Sequence, residues 1–360
     1  VFPIVANSQT IPLGQWQSHF NYLSARNVVK AGNVIYCSSH NGLFAVNAQN
    51  NEIQVLSKSD GFSGTGVSAM GYHAQLNLLL IAYRSGNIDF AFLNDRSLPE
   101  EITPWTVLNS TAGLPADKAV SRIVFKDNLA YLATSFGILV LDPGLRQVEE
   151  TYRYIGANGA QTKVTDLAFS GDSLFAVTSD AGLLATSMQT SVNRQYFANW
   201  KSISAPGKVT SVAAFAGGLY SAISGKGILK YAQGMWTTAF SSASVTPRIL
   251  DVSDKLVFTT GGSITTLDET GAIKNYNVAL PAVRNAVAAS PEVFWIADQQ
   301  KGLYTNASGE FKSITPAQGD TTILPRPDST VLDLNGLSWT RLPDVMGNGI
   351  LVSDQAEARK

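Results

Sequence analysis

One module, repeated along the chain, limits what this protein can fold into. Residues 164–186 read VTDLAFSGDSLFAVTSDAGLLAT. The pattern returns as VSRIVFKDNLAYLATSFGILVLD from Val120, VTSVAAFAGGLYSAISGKGILKY from Val209 and VRNAVAASPEVFWIADQQKGLYTN from Val283. Each copy holds three short runs of apolar and β-branched residues, and each break between runs carries Gly, Asp or Ser. That is the signature of antiparallel strands joined by tight turns. Strand-only modules at a period of roughly 35–50 residues predict the blades of a propeller.

The third strand of each module opens on Gly followed by a short apolar run, which serves as a ruler. It picks out Gly42, Gly86, Gly137, Gly182, Gly227, Gly262 and Gly302. Each glycine is expected either at positive φ or where neighbouring backbone comes too close for a Cβ. The predicted fold is all-β, a seven-bladed β-propeller of four-stranded antiparallel blades spanning residues 25–318. Its blades fall at 25–62, 63–115, 116–158, 159–206, 207–244, 245–281 and 282–318. A fourth, outer strand carries aromatic residues expected to pack between blades near the rim: Trp105, Tyr152 with Tyr154, Trp200, Trp236, Tyr276 and Phe311. Blade two is lengthened by LNDRSLPEEITPW, expected as an acidic, proline-containing loop before the outer strand. No segment sustains a helical apolar period.

The ends lie outside these modules. Residues 1–8, VFPIVANS, are expected to be a signal-peptide remnant, with the tail of an apolar run followed by the small residues around Ala6 and Ser8. Residues 9–24 contain GQWQSHFNYL, an outer strand with its aromatic Trp16 but no inner strands before it. Residues 319–360 hold STVLDLN, LSWTRLP and a further unit at Gly349-Ile350-Leu351-Val352. Two arrangements fit: the ends pair in one mixed closing blade, or the tail begins a second propeller that the chain does not complete.

The 26 basic and 27 acidic residues leave a net charge of −1, which offers no overall attraction for nucleic acid. Charged residues make up only 15 % of the chain, and this low-charge, glycine-rich blend suits an exported β-protein of the periplasm or outer surface. No apolar run approaches the ~20 residues of a membrane helix. Cys37 is the single cysteine, so it cannot form an internal disulfide, and it reads as a small buried hydrophobe.

Catalytic patterns are sparse. His19, His40 and His73 sit on separate segments without zinc spacing, and no nucleophile elbow, Walker loop or dinucleotide fingerprint occurs. Asp95, Glu100 and Glu101 read as a solvated acidic loop. The expectation is therefore a non-enzymatic chain with no catalytic residues, cofactor or metal.

The positive charges are more informative. A basic residue stands just before or at the start of the inner strand in six of the seven modules: Arg26, Lys118, Lys163, Lys208, Arg248 and Arg284. Only blade two, with Thr65-Gly66, lacks one. Even scattering would place about one there. Inner strands of a propeller all run the same way along the channel, so these residues are expected to ring one mouth and focus field on an anion. His40, in the turn before a third strand, joins them as a candidate for the opening.

The stretch GQWQSHFNYLSARNVVKAGNVIYCSSHNGLFAVN, with its Trp-x-x-His-Phe outer strand, resembles the start of the PorZ family, β-propeller components of the type IX secretion system of Bacteroidetes. The repeated V-x-x-[LI]…G-[LI]-[LF] modules are similar to the two-component-regulator propeller repeats of hybrid sensors of that phylum. The resemblance implies a non-enzymatic, exported protein with secretion-system partner proteins and an attachment complex that anchors cargo to anionic lipopolysaccharide. It also implies a second propeller and a C-terminal β-sandwich in such proteins. The leading expectation is a binding and scaffolding propeller recognising an anionic glycan or lipopolysaccharide. The alternatives are a periplasmic sensing domain and a polysaccharide-degrading enzyme, which would need a His, Tyr or carboxylate cluster that the spacing does not supply.

Overall fold

The computed structural model describes residues 20–316, together with the backbone of the strands Val331–Leu332, Leu337–Asp344 and Gly347–Asp354. Residues 22–316 form one compact unit of seven four-stranded antiparallel sheets, each built from consecutive strands. The blades occupy residues 27–56, 67–105, 120–152, 164–203, 209–241, 248–277 and 283–313. Every predicted module is therefore a blade, and the fold is a seven-bladed β-propeller.

Blade four shows how the sequence produces this. Val164–Ser170 pairs with Ser173–Thr178 in the register Phe169↔Leu174 and Ser170↔Ser173, across a turn at Gly171-Asp172. Gly171 sits at φ +55, a left-handed value that a side chain would disfavour. The second strands are buried on both faces because a blade stacks on each side. Leu78–Tyr83 accordingly reads LLLIAY without alternation, and all six residues are buried.

The core lies between blades. Leu78, Leu80, Phe90 and Trp105 of blade two pack on Ile123, Leu132 and Phe136 of blade three, and equivalent clusters join the later pairs. Each fully buried side chain of this size contributes about 1.5–3 kcal/mol. Of the rim aromatics, Trp105, Tyr152 and Trp200 are buried as expected. Tyr154 is not: it falls past the end of the outer strand Gln147–Tyr152 and is half exposed.

The ring closes by packing the inner strand of blade one, Asn27–Ala31, against that of blade seven, Val283–Ser290, with Lys30 Nζ donating to the Ala289 carbonyl at 2.8 Å. Both closing blades are complete from their own consecutive strands. The segments of the expected mixed closing blade, residues 9–24 and 319–360, lie largely outside the described residues, and the described ring closes between blades one and seven. The signal-peptide remnant and Trp16 lie outside the described residues. The C-terminal strands form their own antiparallel sheet, with Leu337–Asp344 and Gly347–Asp354 as a hairpin from Leu337↔Asp354 to Asp344↔Gly347.

The sequence LNDRSLPEEITPW is shorter as a loop than expected. Pro99–Trp105 is itself the outer strand, and only Asn94–Leu98 turns, with the Asn94 side chain accepting from the Arg96 and Leu98 amides. Proline is tolerated there because an edge strand leaves its outer N–H side unpaired. Among the described residues helix is confined to the turn Val107–Ser110 and three short 3-10 turns, and none is long and apolar enough to cross a membrane.

Candidate functional site

Five of the inner strands begin with a bulge, and this local irregularity builds the channel wall. In blade four the register jumps from Val164↔Thr178 to Asp166↔Val177, leaving Thr165 out of the ladder. The same jump skips Ser68, Ser121, Thr210 and Arg284 in blades two, three, five and seven. A bulge re-aims the side chain it leaves unpaired, and all five skipped residues line the channel. Three of the hydroxyls bond back to their own blade, Ser68 to the Ala82 carbonyl, Thr165 to Val177 and Thr210 to Ala222, at 3.1–3.3 Å.

At this mouth lies a cavity of about 710 Å³ lined by Arg26, Arg84, Arg122, Arg248 and Arg284, with Asp166 the carboxylate among them. Arg26 precedes the first strand, and its Nε is buried without a hydrogen-bond partner among the described residues. Burial pulls the Arg26 guanidinium below its ordinary pKa, and the like charges of Arg84 and Arg284 pull it further. Burial acts the same way on Arg248; Asp166 opposes the shift, while Arg122 and Arg284 add to it. Arg284 donates from Nε to Gln299 Oε1 at 2.6 Å.

Asp166 is committed to the architecture. Its Oδ1 accepts from the Leu167 amide and its Oδ2 from the Val212 amide of the next blade, each at 3.0 Å, while Arg122 Nε stands 3.6 Å from Oδ1. Burial pushes its carboxyl up, and Arg122 and the two amides hold it back. Five guanidinium groups, charged at any physiological pH, thus share a concave site with one carboxylate that is already engaged. The result is a concentration of positive potential within a concave site.

The predicted ring divides. Arg26, Arg248 and Arg284 are brought together at the cavity, whereas Lys118, Lys163 and Lys208 do not line it. Those three sit in connections between blades: Lys163 pairs with Asp117 at 3.5 Å, Lys118 Nζ reaches the Asn109 carbonyl, and Lys208 is exposed. His40 is buried rather than open to the channel. Its carbonyl accepts from Arg84 Nη2 at 2.9 Å and its Nδ1 lies 3.3 Å from Nη1, so it positions Arg84.

Arg84 and Arg122 were not anticipated from the sequence. Arg84 fills the place that Thr65-Gly66 leaves empty. Val67 pairs with Tyr83, which sets Arg84 opposite Gly66, and the Arg84 amide donates to the Gly66 carbonyl at 2.9 Å. The guanidinium lies where a Gly66 side chain would stand, with Nη2 2.6 Å from an ideal Cβ. The signal was the glycine: the one module without a basic residue before its inner strand also lacks a Cβ there. Arg122 occupies the position that is Asp166 in blade four and Ser211 in blade five, which varies too much between modules to stand out. Among the described residues no group of three His, Cys, Asp or Glu side chains is placed to hold a metal ion.

Fold and site together define a seven-bladed β-propeller with a cationic channel mouth. Residues 35–201 match the family model described as the TSS9 PorZ N-terminal beta-propeller domain, so this stretch is similar to the propeller of that family. The structure of PorZ from Porphyromonas gingivalis, described as an essential surface component of the type-IX secretion system, superposes with a TM-score of 0.71 at 22 % identity, covering 94 % of this chain and 45 % of that one. The extracellular domain of the putative hybrid two component system BT3049 from B. thetaiotaomicron gives 0.58 at 16 %, covering 93 % and 46 %. The WD40 propeller domain of Doa1 gives 0.61 at 10 %, covering 82 % and 95 %. The chain therefore spans less than half the length of the PorZ and BT3049 chains. No curated protein matches it in sequence.

Proposed function

We propose that this chain is a non-catalytic binding and scaffolding propeller of an exported secretion and surface-attachment machinery, and that its channel mouth takes an anionic group of a glycan or lipopolysaccharide. One observation carries the ligand reading: five arginines converge on one cavity whose single carboxylate is occupied by backbone amides and by Arg122. The likeness to PorZ supports the secretion setting and docking of partner proteins on the outer faces. The likeness to the BT3049 extracellular domain favours a second reading, a sensing domain in which the same mouth receives a charged small ligand.

The test is calorimetric titration of the chain with an anionic lipopolysaccharide and with the same material after removal of its acidic groups. Binding is expected only to the former. The triple variant R26Q/R248Q/R284Q is expected to weaken it by at least about a hundredfold, since each charge-assisted contact is worth about 1.5–3 kcal/mol. Equal binding of the charged and neutral forms would sink the reading.

A further inference from the structure

The connection between the third and fourth strands is short in every blade but one. It holds two to six residues in six of the blades and thirteen, residues 188–200, in blade four. Hairpin loops ordinarily take about two to five residues, and longer ones often carry function. The extra length is fixed in place. Trp200 Nε1 donates to the Arg194 carbonyl and Asn199 Nδ2 to the Asn193 carbonyl, each at 2.8 Å. The Arg194 side chain ties the loop to the outer strand of blade three, donating from Nε to the Tyr152 hydroxyl at 3.0 Å and standing 3.6 Å from Glu150. Near the loop's end the 3-10 turn Phe197–Asn199 packs on the turn Ala157–Gly159, in the connection between blades three and four. A Cβ on Gly159 would stand 3.2 Å from the Phe197 ring.

This well-held loop leaves its aromatic residues in solvent. Tyr196 is 54 % exposed and Phe197 37 %, and Tyr154, on the connection against which the loop packs, is 52 % exposed. No other aromatic side chain among the described residues is exposed. The Tyr196 and Phe197 rings meet edge to face, 5.1 Å apart and inclined at 60°, and Arg153 covers one face of Tyr154 at 5.4 Å. Tilted rings form a notch, whereas stacking of a sugar needs an open, flat ring face. Aromatic side chains offer about 150–250 Å² each, so three half-exposed rings present roughly 300 Å². A folded partner buries about 800 Å² on each side, so this patch suits a short segment. A cation flanks each end. Arg153 beside Tyr154 bonds Gln161 and the Gly113 carbonyl, and Lys201 Nζ donates to the Ala198 carbonyl at 2.9 Å. Neither is ion-paired among the described residues.

We propose that the rim between blades three and four docks an extended, proline-bearing segment of a partner protein, with acidic residues on either side of the prolines. Such segments are already extended before binding, and their apolar rings enter slots between aromatic side chains. The acidic flanks face Arg153 and Lys201. Because the loop is held by its own hydrogen bonds, little ordering remains to be done on binding. The proposal rests on the reading of this chain as a scaffold that docks partner proteins, and gives that docking a place and a chemistry. It uses none of the channel-mouth arginines.

The probe is a fluorescently labelled peptide of six prolines with two aspartates at each end, titrated against the full chain by anisotropy. Saturable binding is expected, weakened about tenfold or more when glycine and serine replace the prolines or lysines replace the aspartates. Y196A/F197A is expected to weaken binding about tenfold or more while its thermal midpoint stays within a few degrees, and Y154A to weaken it several-fold. R26Q/R248Q/R284Q should bind the peptide as the unaltered chain does. Unchanged affinity in Y196A/F197A, or equal binding of either control peptide, would overturn the docking surface. Tighter binding of maltohexaose, lost in Y196A/F197A, would overturn it in favour of a sugar platform. Absence of peptide binding would remove this proposal and leave the anion reading of the mouth standing.

Discussion

Gly66 and Arg84 show at the scale of single residues how the site was assembled. Every module but one supplies a cation before or at the start of its inner strand; blade two supplies it from the end of its second strand and clears the space with a glycine. Gly66 is not at positive φ, so Gly66→Ala strains no backbone, but its Cβ would stand 2.6 Å from Arg84 Nη2. The flexible guanidinium must then leave His40 and Asn41, its present partners. We expect the variant to bind anions several-fold more weakly while its thermal midpoint moves by no more than a few degrees. Titration and calorimetry on the same sample check both halves. A normal affinity would mean that Arg84 is not used at the mouth.

At the scale of strands and turns, the glycines that open the third strands are not equivalent. Gly137 sits at φ +124 with the Tyr152 carbonyl oxygen and, at 2.9 Å, the Arg153 Cα directly against the position of a Cβ. These are backbone atoms of the adjacent outer strand, so no rotamer change relieves the overlap. Gly182 has φ +73 but nothing within 4 Å of an added Cβ. Gly137→Ala is therefore expected to destabilise the fold by about 3 kcal/mol or more, and Gly182→Ala by only about 1 kcal/mol. Denaturant unfolding of the two variants tests the order, and equal losses would contradict it. Both glycines were visible in the sequence as one ruler mark. Their different burdens depend on how closely the fourth strand approaches.

For the whole molecule, closure is the property that no single blade contains. The ring is shut by packing blade one on blade seven, so removing one blade uncovers two apolar faces at once. Without residues 283–316, the cluster of Leu250, Val257 and Ile264 on blade six loses Phe294 and Ile296 as partners, and the inner strand of blade one loses its neighbour. A chain ending at residue 282 is expected to expose apolar surface, bind hydrophobic dyes and lack one cooperative unfolding transition. A sharp transition near that of the intact chain would show that closure contributes little.

The amino-acid sequence alone determined the architecture, because a propeller is a sum of local hairpins. Alternation, turn residues and the Gly-apolar mark recur within each module, so strand order and all seven blades could be read from short stretches such as 164–186. It also marked Arg26, Lys118, Lys163, Lys208, Arg248 and Arg284 as one set, since a place beside the inner strand is a local property. Only the tertiary structure decided which cations share a cavity. Lys118, Lys163 and Lys208 stand at similar sequence positions, yet none of the three lines the cavity. Arg84 and Arg122 line the cavity from positions at which the other modules carry no arginine. A channel is formed by blades meeting from all sides, and which side chains face one another across it depends on closure and on the bulge at each inner strand, neither of which a single module records.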